Sequence, residues 1–243
     1  STPGFTGLWS YNLNTNIWKQ ETPGGTPPGY QGIWAPAWVA DPATKVCYMT
    51  GGAQTPGGGT LNSVYAYDTV QDTWLAPLRA FDSVRNYHAA FLFNRPSDNH
   101  KLLCVAGGVT TGPVLKSTQC YDFSKANWNE EDHDLGALPL ALWGMGYAQT
   151  TISGHVQFWL VNGSDKDFNI SPETWVFSAK TKTWASAGPL QTGDFFRTSA
   201  VTLDNVVYHV GGSLGGFNYV GKADKYIGYG IYIPCASKFS QLK

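Results

Sequence analysis

The stretch Cys47-Tyr48-Met49-Thr50-Gly51-Gly52 is a short apolar run stopped by two glycines. It returns, altered, as Cys104-Val-Ala-Gly107-Gly108, as Trp159-Leu-Val-Asn162-Gly163 and as Tyr208-His-Val-Gly211-Gly212. A second marker keeps the same period. It is an aromatic residue, six residues, then Trp: Tyr11 and Trp18, Tyr67 and Trp74, Tyr121 and Trp128, Phe177 and Trp184. Two independent markers in phase at a period of roughly 50 residues indicate a repeat architecture.

Each unit reads as four short antiparallel strands. Val46–Thr50 ends in Gly-Gly, and a polar loop follows over 53–62. Ser63–Asp68 alternates as a strand, a polar turn covers 69–73, and Trp74 opens a further strand. Tyr87–Phe93 reads as the first strand of the next unit. The composition fits many short strands and tight turns, with 28 Gly, 14 Pro, 10 Trp and 13 Tyr in 243 residues. Gly and Pro recur too often for long helices.

Strand, Gly-Gly, loop, Tyr, six residues and Trp resemble the kelch repeat, over Leu8 to about Gly216. The resemblance implies an all-β fold, a kelch-type β-propeller of four-stranded antiparallel blades. Four or five blades are expected, or a fragment of a larger propeller. The whole chain, 1–243, then forms one domain. Its units are 1–35 (partial), 36–85, 86–145, 146–196 and an atypical 197–243. The third unit departs from the pattern with Asn162 and Phe177, and the last lacks the Trp. Tyr226–Ile233 reads as a strand off the pattern. In such a repeat, the Trp residues are expected to pack neighbouring units together.

Antiparallel strands put the long loops at one end and the short turns at the other. Loops on a rigid scaffold are where binding resides. The candidate ligand-binding residues on the loop face are Trp34, Arg85, Tyr87, Trp143, Phe195, Phe196, Phe217 and Tyr219, within a wider aromatic set that includes Tyr30 and Phe81. Aromatic side chains serve as protein hot spots or as platforms for sugars. Arg85 and His88 head a strand where they could meet an acidic ligand, although the kelch pattern also has a basic residue and His there.

Net charge is −1 with 14% charged residues, which gives no footprint for nucleic acid. No run of about 18 apolar residues is present, so no membrane span is expected. The chain opens on Ser1-Thr-Pro-Gly with no basic-plus-apolar leader, as a processed or trimmed protein would. Four cysteines allow three pairings. If a hairpin centres near Gly112, Cys104 faces Cys120 across it at the ~4.5–5.5 Å of opposed Cα atoms. Cys47 and Cys235 then pair by elimination. Asn169-Ile-Ser171 is a glycosylation acceptor sequence, and Asn162-Gly-Ser164 is a second at a crowded strand end. Even cysteines, few charges and sequons point to a secreted, extracellular protein.

Some kelch-type propellers are enzymes, such as the galactose-oxidase-like copper radical oxidases. These need two His and two Tyr around copper, one Tyr joined to Cys. His88 and His133 could reach the loop face, but no Cys can be matched to that role. No Glu/Asp/His spacing for iron is found, and the acidic run Glu130–Asp134 reads as a solvated loop. No cofactor is expected. A non-catalytic binding module is the expected function, with a protein partner or a glycan as ligand.

Overall fold

The computed structural model describes residues 7–25, 32–55, 58–189, 195–215, 218–221 and 223–226. All regular elements among them are strands. They fall into two compact units, divided between Trp143 and Gly144.

The first unit opens with the hairpin β1 (Leu8–Asn12) and β2 (Ile17–Glu21). There follow β3 (Gly24–Gly25), β4 (Ala37–Asp41), β5 (Val46–Thr50), the small hairpin β6 (Ala53–Thr55) and β7 (Gly58–Thr60), β8 (Val64–Asp68) and β9 (Thr73–Trp74). Strands β4, β5, β8 and β9 form an antiparallel sheet in that order, and β3 joins β9 in parallel at the edge. The next sheet repeats the plan with β10 (Ala89–Asn94), β11 (Lys101–Ala106), β12 (Thr118–Asp122) and β13 (Asn127–Trp128). The second unit holds a four-stranded sheet of β14 (Gly146–Ile152), β15 (His155–Val161), β16 (Glu173–Ser178) and β17 (Thr183–Pro189). Its last sheet is β18 (Ser199–Leu203), β19 (Val206–Val210) and β20 (Ala223–Tyr226).

The spacing from aromatic residue to Trp has a geometric cause. In the hairpin β8–β9, Asp68 pairs with Thr73 across a four-residue turn, so Tyr67 falls directly opposite Trp74. Tyr11 faces Trp18, Tyr121 faces Trp128 and Phe177 faces Trp184 in the same way. The ring centroids lie 4.9, 5.4, 5.6 and 5.2 Å apart in chain order. Such a pair contributes about 0.5–1.5 kcal/mol beyond its burial. The turn is set by the paired residue that precedes it. Asp68 Oδ1 accepts from the amides of Val70 and Gln71 at 2.8 and 2.9 Å, and Asn12 Oδ1 does the same for Asn14 and Thr15. The fourth turn residue is left-handed, as at Asn16, Asp72, Ala126 and Lys182.

The sheets of each unit pack face to face. In the first unit Val46, Tyr48, Val64 and Ala66 meet Leu92, Leu103, Val105, Tyr121 and Trp128, with Phe81 of the connecting segment between them. The Trp128 indole lies edge-on to Phe81 at 5.3 Å and donates from Nε1 to the Arg79 carbonyl at 2.6 Å. In the second unit Ala148, Trp159 and Val161 meet Val207.

Cys104 and Cys120 are opposed in the β11–β12 ladder and are disulfide-bonded, with Cα atoms 4.0 Å apart. The pairing of Cys47 with Cys235 falls on a residue outside those described. The strand read at Tyr226–Ile233 enters the described residues only at Tyr226, which closes β20. Tyr226 stands opposite Val207, as Tyr67 stands opposite Cys47 and Tyr121 opposite Leu103. The atypical last unit therefore keeps the register of the others. The strand expected from Tyr87 begins only at Ala89, because Tyr87 sits in a left-handed bend.

Candidate functional site

The Gly-Gly positions build one frame four times. The first residue is left-handed, with φ of 55° at Gly51, 62° at Gly107, 54° at Asn162 and 65° at Gly211. Asn tolerates this conformation, which explains the substitution at 162. The second residue has φ of 93–119° at Gly108, Gly163 and Gly212 and 97° at Gly52. A Cβ on Gly108 would lie 2.7 Å from the Asn86 carbonyl oxygen, so no side chain fits. This second glycine also closes the loop. Its carbonyl accepts from Leu61, Leu115, Ser171 and Val220 at 2.8, 2.8, 2.8 and 3.0 Å. In three repeats its amide reaches forward to the segment that enters the next sheet, at Arg85, Leu142 and Phe195.

The entry to each first strand repeats as well. Trp34, Asn86 and Phe196 bridge to the residue after the second glycine, namely Ala53, Val109 and Ser213. The residue that follows each entry is left-handed at Ala35, Tyr87, Gly144 and Arg197. Nothing in the residue types announces this turn, since three of the four are not glycine.

The frame sorts the candidate residues. In the first unit Trp34 is exposed, while Arg85 is fully buried. The Arg85 guanidinium donates to the carbonyls of Gly107 and Ser117, both at 3.0 Å, and lies over the Phe81 ring. Burial pushes its pKa down to about 10. Arg85 thus ties two loops together from inside. His88, expected at the loop face, is buried at the head of β10 with Nε2 2.8 Å from Thr50 Oγ1. Burial and the Arg85 charge hold its pKa well below the usual value, so the ring is neutral. Tyr87 is half-buried against the buried Trp143, ring centroids 5.4 Å apart. Phe81 is buried as well, and Tyr30 lies outside the described residues.

In the second unit Phe195 and Phe196 are both buried, Phe195 stacked on His209. Tyr219 is exposed in the loop that follows Gly212 and bridges to Ser213, which itself bridges to Phe196. Phe217 lies outside the described residues. Two neighbours escaped the sequence reading. Phe168 is exposed and edge-on to Phe196 at 6.5 Å, and the Arg197 guanidinium lies 5.1 Å from the same ring. No signal in the sequence marks Arg197, because nothing in the residue types announces the left-handed entry position it occupies.

Asn169 is exposed, its side-chain amide donating to Asp165 at 2.9 Å. Asn162 and Ser164 of the other acceptor sequence are fully buried. The acidic run 130–134 is more structured than a solvated loop. Asp134 receives Arg95 at 2.9 Å, Asp132 receives the Thr118 amide at 2.8 Å and Glu131 receives Ser83 at 3.0 Å.

At the turn end of the first unit, Ser124, His100 and Asp122 have the composition of a hydrolytic triad but not its geometry. Ser124 Oγ and Asp122 Oδ2 both contact the same nitrogen, His100 Nδ1, at 2.8 and 3.1 Å. A relay needs the base to use one nitrogen for each partner. Burial alone would raise the Asp122 pKa, but the bonds from Ser124 and His100 outweigh it and hold the carboxylate well below the usual range. Among the described residues no three His, Cys, Asp or Glu side chains are placed to hold a metal ion.

Compared with models of known protein families and with curated proteins, the sequence matches none.

Proposed function

We propose that the protein is a non-catalytic binding module, a secreted kelch-type β-propeller of four or five blades or a fragment of a larger propeller, that recognises a protein partner through its loop face. One observation carries this reading. Four loops are closed by the same bond to the second glycine's carbonyl, yet their contents do not repeat. A scaffold held constant beneath variable loops is the arrangement that binding proteins use. Tyr219 presents an exposed aromatic ring from one of these loops and Trp34 from a strand entry beside another, and such residues dominate interface energetics. The four-stranded antiparallel sheets that recur in chain order support the propeller reading. The Cys104–Cys120 disulfide and the exposed Asn169 acceptor support secretion. Glycosylation at Asn169 and none at Asn162 is the matching expectation, read by glycopeptide mass.

The test compares wild type with Trp34→Ala and Tyr219→Ala in cross-linked capture from extracellular fluid. At least one variant loses its partner about tenfold or more, the effect of a hot-spot residue. Capture unchanged in both would overturn the reading. The same exposed rings favour carbohydrate as the second ligand class. In that case a glycan array is positive and a sugar quenches tryptophan fluorescence, with no variant-sensitive protein partner.

A further inference from the structure

The sheets of both units stack by one rule. Each complete sheet has one face bearing its aromatic pair and one plain face. In the first unit, Val46, Tyr48, Val64 and Ala66 lie opposite the Tyr67–Trp74 face of their sheet. They pack on the next sheet at the face bearing Tyr121 and Trp128. The β1–β2 hairpin obeys the same rule. Leu8 lies on its plain side and packs with Met49, Tyr67 and Trp74. In the second unit, Ala148, Trp159 and Val161 lie opposite Phe177 and Trp184, and they pack on the Val207 side of the last sheet. Val207 stands in the ladder opposite Tyr226, the position of the aromatic residue in the other sheets. At each described contact, then, a plain face meets the aromatic-pair side of the sheet that follows.

Two of the described faces are exposed, and they are one of each kind. The aromatic-pair face of β1–β2 carries Trp9, Tyr11 and Trp18, which are 43%, 40% and 64% exposed. The plain face of the last sheet carries Val201, Leu203 and Val210, which are 56%, 61% and 49% exposed. Gln20 shares the first of these faces, and Ser199, Val206, Tyr208, Ala223 and the ladder position of Lys225 share the second. Apolar patches of this kind mark interaction surfaces.

We propose that these two faces bind each other between copies of the chain, the last sheet of one copy seated on the first hairpin of the next. The occupant is a second copy because the contact continues the one already repeated between adjacent sheets. Both sides of that contact are present on every molecule. An association of this kind is head-to-tail, and it closes into a ring if the rotation allows.

Sedimentation velocity on the 243-residue chain from about 1 to 100 μM, the range of modest protein affinities, tests the proposal. The average mass should at least double across that range. Trp18→Lys and Leu203→Lys should each remain monomeric where wild type associates, with unchanged circular dichroism because both side chains are exposed. Mixing the two variants should restore a dimer and nothing larger, since only one intact pair of faces remains. If either lysine variant loses its fold, the milder Tyr11→Ser and Val201→Thr provide the same pair of single-face defects. Wild type that stays monomeric throughout would overturn the proposal. So would a mixture of folded variants that fails to associate, because that result belongs to a contact between like faces.

Discussion

The hairpins β1–β2 and β12–β13 share one design and end in opposite environments. Both place an aromatic residue opposite a Trp across a four-residue turn opened by Asn12 or Asp122. Trp18 is 64% exposed, whereas Trp128 is 7% exposed. The motif therefore sets the pair but not its burial. Burial comes from Phe81 and the Arg79 carbonyl, which belong to the preceding repeat. The same local sequence is core in one place and surface in another, depending on whether a sheet stands before it.

The largest expected break of this comparison is at the two Trp residues themselves. Trp128→Ala should cost about 3–5 kcal/mol, for a lost buried ring and an orphaned Arg79 carbonyl. Trp18→Ala should cost only about 0.5–1.5 kcal/mol, the worth of its pair with Tyr11. Chemical denaturation of the dilute protein measures both, and equal losses would erase the distinction. Next in size is the disulfide that only the complete sheet carries. Cys104 and Cys120 close a loop of 16 residues, so replacing both with Ala should cost about 3 kcal/mol.

A smaller effect distinguishes the two turn residues. Asn12 serves only its own turn. Asp122 also receives Arg95 and His100, each at 3.1 Å. Asp122→Asn should lose about 1.5–3 kcal/mol, the range for hydrogen bonds to a charged group. The sign of the pH dependence follows from the lowered pKa of Asp122 and from that of Asp98, held at about 2 chiefly by Arg95. Their contribution is complete above the unfolded carboxylate value of about 3.9 and is lost as the pH falls through the folded values. Melting temperature should drop steeply below about pH 4 in wild type. It should drop less steeply in Asp122→Asn, and parallel curves would remove Asp122 from the acid transition.

The repeat was legible because its markers are forced by geometry. Only a six-residue interval puts Tyr67 opposite Trp74 across a four-residue turn. Only glycine fits at Gly108 beside the Asn86 carbonyl. The disulfide was legible because the hairpin register put Cys104 against Cys120. The exposure of the candidate residues was much less legible. Arg85 and Arg197 both flank a strand entry, yet Arg85, one residue before the bridge, is sealed beneath two loops, and Arg197, one residue after it, lies against Phe196 at a left-handed turn. Phe195 and Phe196 read as surface aromatics because they precede a strand, but the frame carries them inward. Exposure at these positions is decided by the neighbouring repeat, and no single stretch of sequence contains both.

Hydroxyl-radical footprinting read by mass spectrometry tests most directly whether a preceding sheet, rather than the hairpin motif, buries the aromatic pair. In dilute protein Trp18 should be modified about tenfold faster than Trp128, in keeping with their exposure. Equal modification of the two in dilute protein would contradict the account.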